Sequence, residues 1–316
     1  MPRTLRCAPE LLKKDLTGRT YVVTGANSGV GLATTEQLVR QGGHVVMGCR
    51  RVEAGNRAAA SIAGAGSVEV MELNLGSLAS VRRFAEAFRN KHDRLDALVN
   101  NAGIMATPFH WTEDGFEGQF GVNHLGHFLL TELLLDVLKA SAPSRAVILS
   151  SVGHAGTRKR PVEMHLEDLN FEQRTYDPLA AYCESKLANV LHAKELASRL
   201  EGSGVAVFSV HPGWARSNLV SSTMPAWVQN VLMRPFSGLL TMMSNEDAAQ
   251  TTLHCLLDDD APRHSGKYFS QCSVLYADKR CRKGGWPMPS PNPQAHDADL
   301  ARQLYELSLR MIGPAQ

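Results

Sequence analysis

Tyr182-Cys183-Glu184-Ser185-Lys186 sets a phenol and an ammonium four residues apart, a spacing that brings both onto one face of a helix. That pairing has a chemical use. A phenol ordinarily titrates near about 10, and a neighbouring ammonium favours its ionised form, so such a pair could pass a proton to or from a bound molecule near neutral pH. The same spacing also describes many ordinary surface pairs, so its place in the chain has to decide. It opens a helical pattern after a β-branched run that ends in Ser150-Ser151, on the edge where doubly wound sheets bind ligands.

A second group is Thr24-Gly25-Ala26-Asn27-Ser28-Gly29-Val30-Gly31, between an apolar run and a helical pattern. Gly25, Asn27, Ser28, Gly29, Val30 and Gly31 would form a tight turn whose backbone N–H groups approach a pyrophosphate at the helix N-terminus. The GxxxGxG spacing is a variant of the dinucleotide fingerprint, and alone it describes a tight connection equally well. The residue ending the second strand should meet the adenosine ribose, where a carboxylate would bond a free 2′-hydroxyl. Arg50 and Arg51 stand there instead. A guanidinium pairs with a 2′-phosphate in fork geometry, so NADPH is expected over NADH; a solvated arginine pair is the plain alternative. Asn74 and Leu75, after the third strand, are placed to contact the adenine edge. Asn101, Ala102 and Gly103, after Asn100, offer small residues and backbone groups beside the adenosine ribose.

These groups need a scaffold. Short β-branched runs at 20–24, 44–49, 68–73, 97–100, 145–150, 205–210 and 267–270 alternate with helical patterns near 29–41, 52–63, 78–91, 116–139 and 181–200. Such alternation predicts an α/β fold, a doubly wound, mostly parallel sheet of the Rossmann type with helices on both faces. A 316-residue chain with 44% apolar and 20% charged residues can bury one large core, and a formal charge of +2 gives no global case for nucleic acid. Six cysteines without CxxC or metal-ligand spacing point to free thiols in a reducing compartment, hence a cytoplasmic setting, peripheral at intracellular membranes as the variant of it. Nor do they suggest a metal. His124 and His127 lack a third ligand, and His211 before Pro212 reads as a turn-positioning residue.

In order and separation, TGANSGVG at Thr24, NNAG at Asn100, VNHLGHFLL at Val122, the serine pair at Ser150, YCESK at Tyr182 and HPGWARSNL at His211 resemble the short-chain dehydrogenase/reductases. The resemblance spans roughly residues 16 to 271. VNHLGHFLLTELLLDVLK, YCESKLANVLHAKELASRLEGSGV and SGKYFSQC look most like the retinol dehydrogenase branch. What it implies is hydride transfer between a nicotinamide and a hydroxyl or carbonyl carbon. Tyr182 would be the proton donor and acceptor, and Lys186 would lower its pKa and hold the nicotinamide ribose. Ser151, preferred to Ser150, would bond the substrate oxygen, and Asn123 would steady a water in the proton relay. Pro212, Gly213 and Ser217 would lie by the nicotinamide. Asn74 and Ser217 depart from the aspartate and threonine usual in the family at those places.

An N-terminal extension (1–17), a dehydrogenase domain (18–271) and a C-terminal extension (272–316) with a last helix near 298–311 are expected. Within the domain, the apolar stretch Met224–Met243, in a region of about 218–245, reads as a substrate lid with transient membrane contact as an alternative use. The expected substrate is a small apolar carbonyl or alcohol, retinoid or lipid aldehyde first, a steroid or xenobiotic ketone second. A non-catalytic NADP(H) sensor acting on a partner protein is the competing class. Homodimerisation through the helices that include 181–200 is implied by the resemblance, although the tail after Cys272 could cover that face.

Overall fold

The structure, a computed structural model, describes residues 3–156, 161–215 and 243–314. Seven strands run parallel: β1 (Thr20–Thr24), β2 (His44–Cys49), β3 (Ser67–Glu72), β4 (Ala97–Asn100), β5 (Ser144–Leu149), β6 (Val205–His211) and β7 (Tyr268–Ser270). Their order across the sheet is β3-β2-β1-β4-β5-β6-β7. Connections leave β1 in one direction for β2 and β3 and return past it to β4. The crevice between β1 and β4 at the carboxyl edge is therefore the switch point where such folds bind ligands. Helices cover both faces, so the expected Rossmann architecture is what the chain adopts.

The two faces carry separate apolar cores. One joins α3 (Leu78–Lys91), α4 (Gly126–Ala140) and α5 (Pro178–Arg199) through Phe84, Phe88, Phe128, Leu134 and Leu191. The other holds α1 (Gly29–Arg40) and α6 (Asn245–Leu257) around Leu38, Val45, Phe208 and Leu253. A shorter α2 (Val52–Ala59) follows β2. Strands buried on both sides must be apolar throughout, which is why β6 reads Val-Ala-Val-Phe-Ser-Val-His with every residue buried.

Three elements differ most from the sequence expectation. α5 begins at Pro178 rather than near 181, because the Asp177 carboxylate accepts from the Leu179 and Ala180 amides and proline occupies the first turn. Tyr182 consequently sits in the second turn of α5. The helix expected over 116–139 is not continuous. A short turn at Gly118–Phe120 and a π-helical turn at Gly121–Leu125 precede α4. Helix α6 was not expected, although Ser244 caps it by accepting from the Asp247 amide, with Glu246 and Asp247 in the first turn.

Both extensions are built into these cores. Cys7, Leu11 and Leu16 enter one core, and Gln271 holds Leu5 by both its amide and carbonyl (2.7 and 2.8 Å). Tyr276, Met288 and α7 (Ala298–Ile312) enter the other. α7 packs across α4 and α5: Tyr305 donates to Glu132 Oε1 at 2.5 Å, His124 Nε2 and Ser308 Oγ bond at 2.9 Å, and Arg199 pairs with Glu306. It thus covers one face of α4 and α5. Among the described residues no helix is long and apolar enough to cross a membrane. The expected lid residues up to Thr241 and Met242, Ser217 and residues 157–160 lie outside the described residues.

Candidate active site

A cavity of about 530 Å³ opens at the carboxyl edge of β1, β4, β5 and β6. At one end the β1–α1 turn brings Gly25, Asn27, Ser28, Gly29 and Val30 to its wall. Gly25 adopts φ +62°, and a Cβ there would stand 2.9 Å from Ala102, so a side chain would push apart the ends of β1 and β4. Gly31 is not part of the wall. It lets α1 close onto the turn behind it, where a Cβ would lie 2.4 Å from Asn101 Nδ2 and 2.7 Å from the Gly25 carbonyl.

Arg50 and Arg51 reach the same end of the cavity, both exposed, and neither forms an ion pair among the described residues. Leu75 is also on the wall. Asn74 lines it too, but its side chain is already engaged. Its Oδ1 accepts from the Gly76 amide at 3.1 Å and its Nδ2 donates to Glu113 at 3.1 Å. Asn101, Ala102 and Gly103 follow β4 along the cavity. Thr24 Oγ1 accepts both the Asn101 and Ala102 amides at 2.9 Å, and Asn101 Nδ2 donates back to the Thr24 carbonyl at 2.7 Å. The asparagine side chain therefore locks two strand ends together, leaving backbone and small residues to face the cavity.

At the other end, β5 delivers the serine pair and α5 delivers Tyr182 and Lys186. The two serines part ways: Ser150 Oγ donates to the Lys186 carbonyl at 2.7 Å, while Ser151 shares the cavity wall with Tyr182, where its hydroxyl acts to lower the phenol's pKa. Ser151 Oγ also accepts from the Gly153 amide at 3.1 Å, which holds its rotamer. Lys186 Nζ is buried, 5.9 Å from the Tyr182 ring centroid, and donates to the Leu149 carbonyl at 3.2 Å.

The electrostatics run against one sequence expectation. Burial pushes the Tyr182 phenol up to about 12 against the smaller lowering effect of the Ser151 hydroxyl. Burial also takes Lys186 down to about 8. Desolvation penalises whichever form carries charge, and in this closed corner it is the largest effect on both groups.

Asn123 does not form part of the cavity wall. It lies in the π-helical turn directly beneath, wholly buried. Its Oδ1 accepts from the Ile104 amide (2.8 Å), and its Nδ2 donates to the Ile104 carbonyl and to Ser185 Oγ (both 2.9 Å). Its own carbonyl accepts from Asn189 Nδ2 and bonds His127 Nδ1, both at 3.1 Å, so the widened turn spends that group on side chains. A Cβ on Gly103 would be 3.1 Å from Asn123 Oδ1 and 3.4 Å from Lys186 Nζ. Pro212 and Gly213 line the wall next to β6.

Sequence reasoning missed several wall residues. Leu179 and Leu275, 59% and 43% exposed, give the mouth an apolar rim together with Met105 and Trp214. The C-terminal segment also reaches in. His154 Nδ1 bonds the Ser151 carbonyl at 2.5 Å and its Nε2 bonds Ser290 Oγ at 2.7 Å. Buried Asn292 donates to the His154 and Val162 carbonyls at 2.8 and 2.9 Å. No spacing rule links residues 138 positions apart, so only folding could reveal that brace.

The family model for short chain dehydrogenases matches residues 19–163. Retinol dehydrogenase 13 of Homo sapiens is 43% identical over 307 residues, which cover 95% of this chain and 86% of that protein. The chain belongs to the short-chain dehydrogenase/reductases. Within that family it falls in the retinol dehydrogenase branch: retinol dehydrogenase 12 of Mus musculus is 44% identical over 95% of this chain and 88% of its own. A crystal structure of a putative uncharacterized protein from Mycobacterium paratuberculosis superposes with a TM-score of 0.74 at 36% identity, covering 95% of both chains. As a member of this family the protein is an oxidoreductase that uses a nicotinamide cofactor on a small substrate. The cavity suits that cofactor: glycines whose Cβ atoms would fill the turn at one end, and a phenol and an ammonium at the other.

Proposed function

We propose that this short-chain dehydrogenase/reductase interconverts an apolar alcohol and its carbonyl with NADP(H), using Tyr182, Lys186, Ser151 and Asn123. The observation that carries the reading is that Ser151, Tyr182 and Lys186 share the wall of one cavity whose far end holds the glycine turn. Gly25, Asn27, Ser28, Gly29 and Val30 would hold the pyrophosphate, Arg50 and Arg51 the 2′-phosphate, and Asn101 to Gly103 the adenosine ribose. Pro212 and Gly213 would flank the nicotinamide, and Ser217 belongs to the same proposed set. The bound cofactor supplies hydride at its ring carbon and, when oxidised, a positive charge at that end of the cavity. Ser151 and Tyr182 donate to the substrate oxygen, and Tyr182 gives it the proton as the carbonyl carbon is reduced. Lys186 stands behind the phenol, and Asn123 holds the loop at Ile104 against α5. Residues 18–271 carry this chemistry, with the C-terminal segment bracing it.

The apolar rim at Leu179, Leu275, Met105 and Trp214 supports a retinoid or lipid aldehyde as substrate. The direct test follows nicotinamide absorbance with all-trans-retinal, a medium-chain aldehyde and a steroid ketone, each with NADPH and with NADH. Retinal or aldehyde reduction by NADPH is expected. Tight NADPH binding with no carbonyl reduced would remove the enzymatic reading in favour of a cofactor sensor.

The arginine pair gives a separate expectation. Replacing Arg50 and Arg51 together by serine should weaken NADPH binding about 10- to 100-fold while leaving NADH nearly unchanged, since one charge-assisted bond from this exposed pair to phosphate contributes about 1.5–3 kcal/mol. Equal loss for both cofactors in a fluorescence titration would detach the pair from the 2′-phosphate. The C-terminal brace predicts a different signature. Ser290→Ala loosens His154, and through it Ser151, so turnover should fall about tenfold with cofactor affinity kept. Unchanged turnover would make the brace a matter of stability alone.

A further inference from the structure

We infer that His44, Glu69 and His92 form a binding site for one divalent transition-metal cation, zinc by preference, at the end of the sheet opposite the catalytic cavity. His44 starts β2, Glu69 lies on edge strand β3, and His92 follows the last turn of α3. Three separate elements thus send one donor each to a common point. His92 Nε2 is 3.2 Å and His44 Nε2 is 3.9 Å from the same oxygen, Glu69 Oε2, and all three donor atoms lie within 4.8 Å of one another. Ligands on a tetrahedral zinc at about 2.1 Å stand roughly 3.4 Å apart, so small side-chain adjustments would close the set.

The surroundings orient the donors. Ser67 Oγ bonds His44 Nδ1 at 2.7 Å, which turns His44 Nε2 toward Glu69, and that nitrogen is buried with no hydrogen-bond partner among the described residues. Phe88 packs on the His92 ring at 4.9 Å between centroids and sets its plane. Lys91 donates to the other carboxylate oxygen, Oε1, at 2.7 Å, neutralising part of the charge while leaving Oε2 to a cation. Two imidazoles and one carboxylate suit zinc better than magnesium or calcium, which prefer all-oxygen sets. Three protein ligands leave a fourth position for water. A cation here would tie edge strand β3, paired only to β2, to the end of α3. The plain alternative is a His92–Glu69 ion pair with His44 beside it.

Full-length protein treated with chelator and titrated with Co²⁺ provides the test. One equivalent should bind and give a visible d–d band, and Zn²⁺ should displace it. His44→Gln and His92→Gln should each weaken binding about tenfold or more and abolish a Zn²⁺-dependent rise in Tm, with nicotinamide-linked activity retained as the control for folding. Absence of the band in the wild-type protein would overturn the site. So would equal Co²⁺ affinity in wild type and both variants, which would put the metal on other histidines or cysteines. Should one variant fail to fold, Glu69→Gln reads out the same loss.

Discussion

Tyr182→Phe is expected to lower turnover about 10²- to 10⁴-fold, the range that a positioned general acid supplies, while NADPH binding changes little. The phenol lines the cavity beside Ser151, and phenylalanine keeps its ring packing but has no proton to give. The phenol's displacement to about 12 sharpens the expectation. Burial alone makes Tyr182 a poorer acid than free tyrosine, so catalysis near neutral pH requires positive charge to gather at the phenol during turnover. Activity of the wild-type enzyme should therefore show an apparent basic pKa well under 12, and the variant should lose that limb. Single-turnover absorbance at saturating NADPH measures the rate, and a titration of cofactor fluorescence measures binding. A variant retaining more than about a tenth of wild-type turnover would remove Tyr182 from proton transfer.

Stability should collapse on mild acidification. Burial takes His124 and His154 down to about 4, His127 and His211 to about 3, and His192 well below its usual value. Free imidazole titrates near 6.5. As pH falls below that value the unfolded chain takes up protons on these side chains and the folded chain does not, so stability is lost from pH 6.5 downward until the folded imidazoles themselves protonate. Each contributes about 1.4 kcal/mol per pH unit in that window, and five together approach the ~5–15 kcal/mol stability of a whole domain within one or two units. Glu132 and Glu184, raised by burial, work in the opposite sense but are fewer. Urea denaturation followed by circular dichroism should show the midpoint dropping steeply between about pH 6.5 and pH 5. Among the described residues His192 has no hydrogen-bond partner for either nitrogen, and it packs against Phe128 and Tyr305. His192→Leu should therefore flatten the slope by about one proton. A pH-independent midpoint across that range would mean that these rings are not buried as neutral groups.

Much of the site was legible because its chemistry is local. The glycine turn needs a strand before it and a helix after it, all within eight consecutive residues, and the phenol and ammonium need only one helical turn. Apolar runs alternating with amphipathic ones were enough to predict the parallel sheet, and β1, β2 and β4 begin and end where the β-branched pattern does. Local signals also existed where the reading fell short: Asp177-Pro178 starts α5 three residues early, and Ser244 with two acidic neighbours starts α6.

Other features had no local signal at all. Burial decides the direction of the Tyr182 and Lys186 shifts, and burial is a property of everything packed around α5, not of the pentapeptide. Asn74 and Asn101 look alike as loop amides, yet the fold spends one on Gly76 and Glu113 and the other on Thr24. Ser290 and Asn292 reach Ser151 through His154 across more than a hundred residues of chain, and His44, Glu69 and His92 meet only because the starts of β2 and β3 lie beside the end of α3. Sequence determined which groups could do chemistry, since that follows from residue type and short spacing. Tertiary structure alone decided which of them are desolvated, which are held by a neighbour, and which remain free for a ligand, because each depends on contacts between segments distant in the chain.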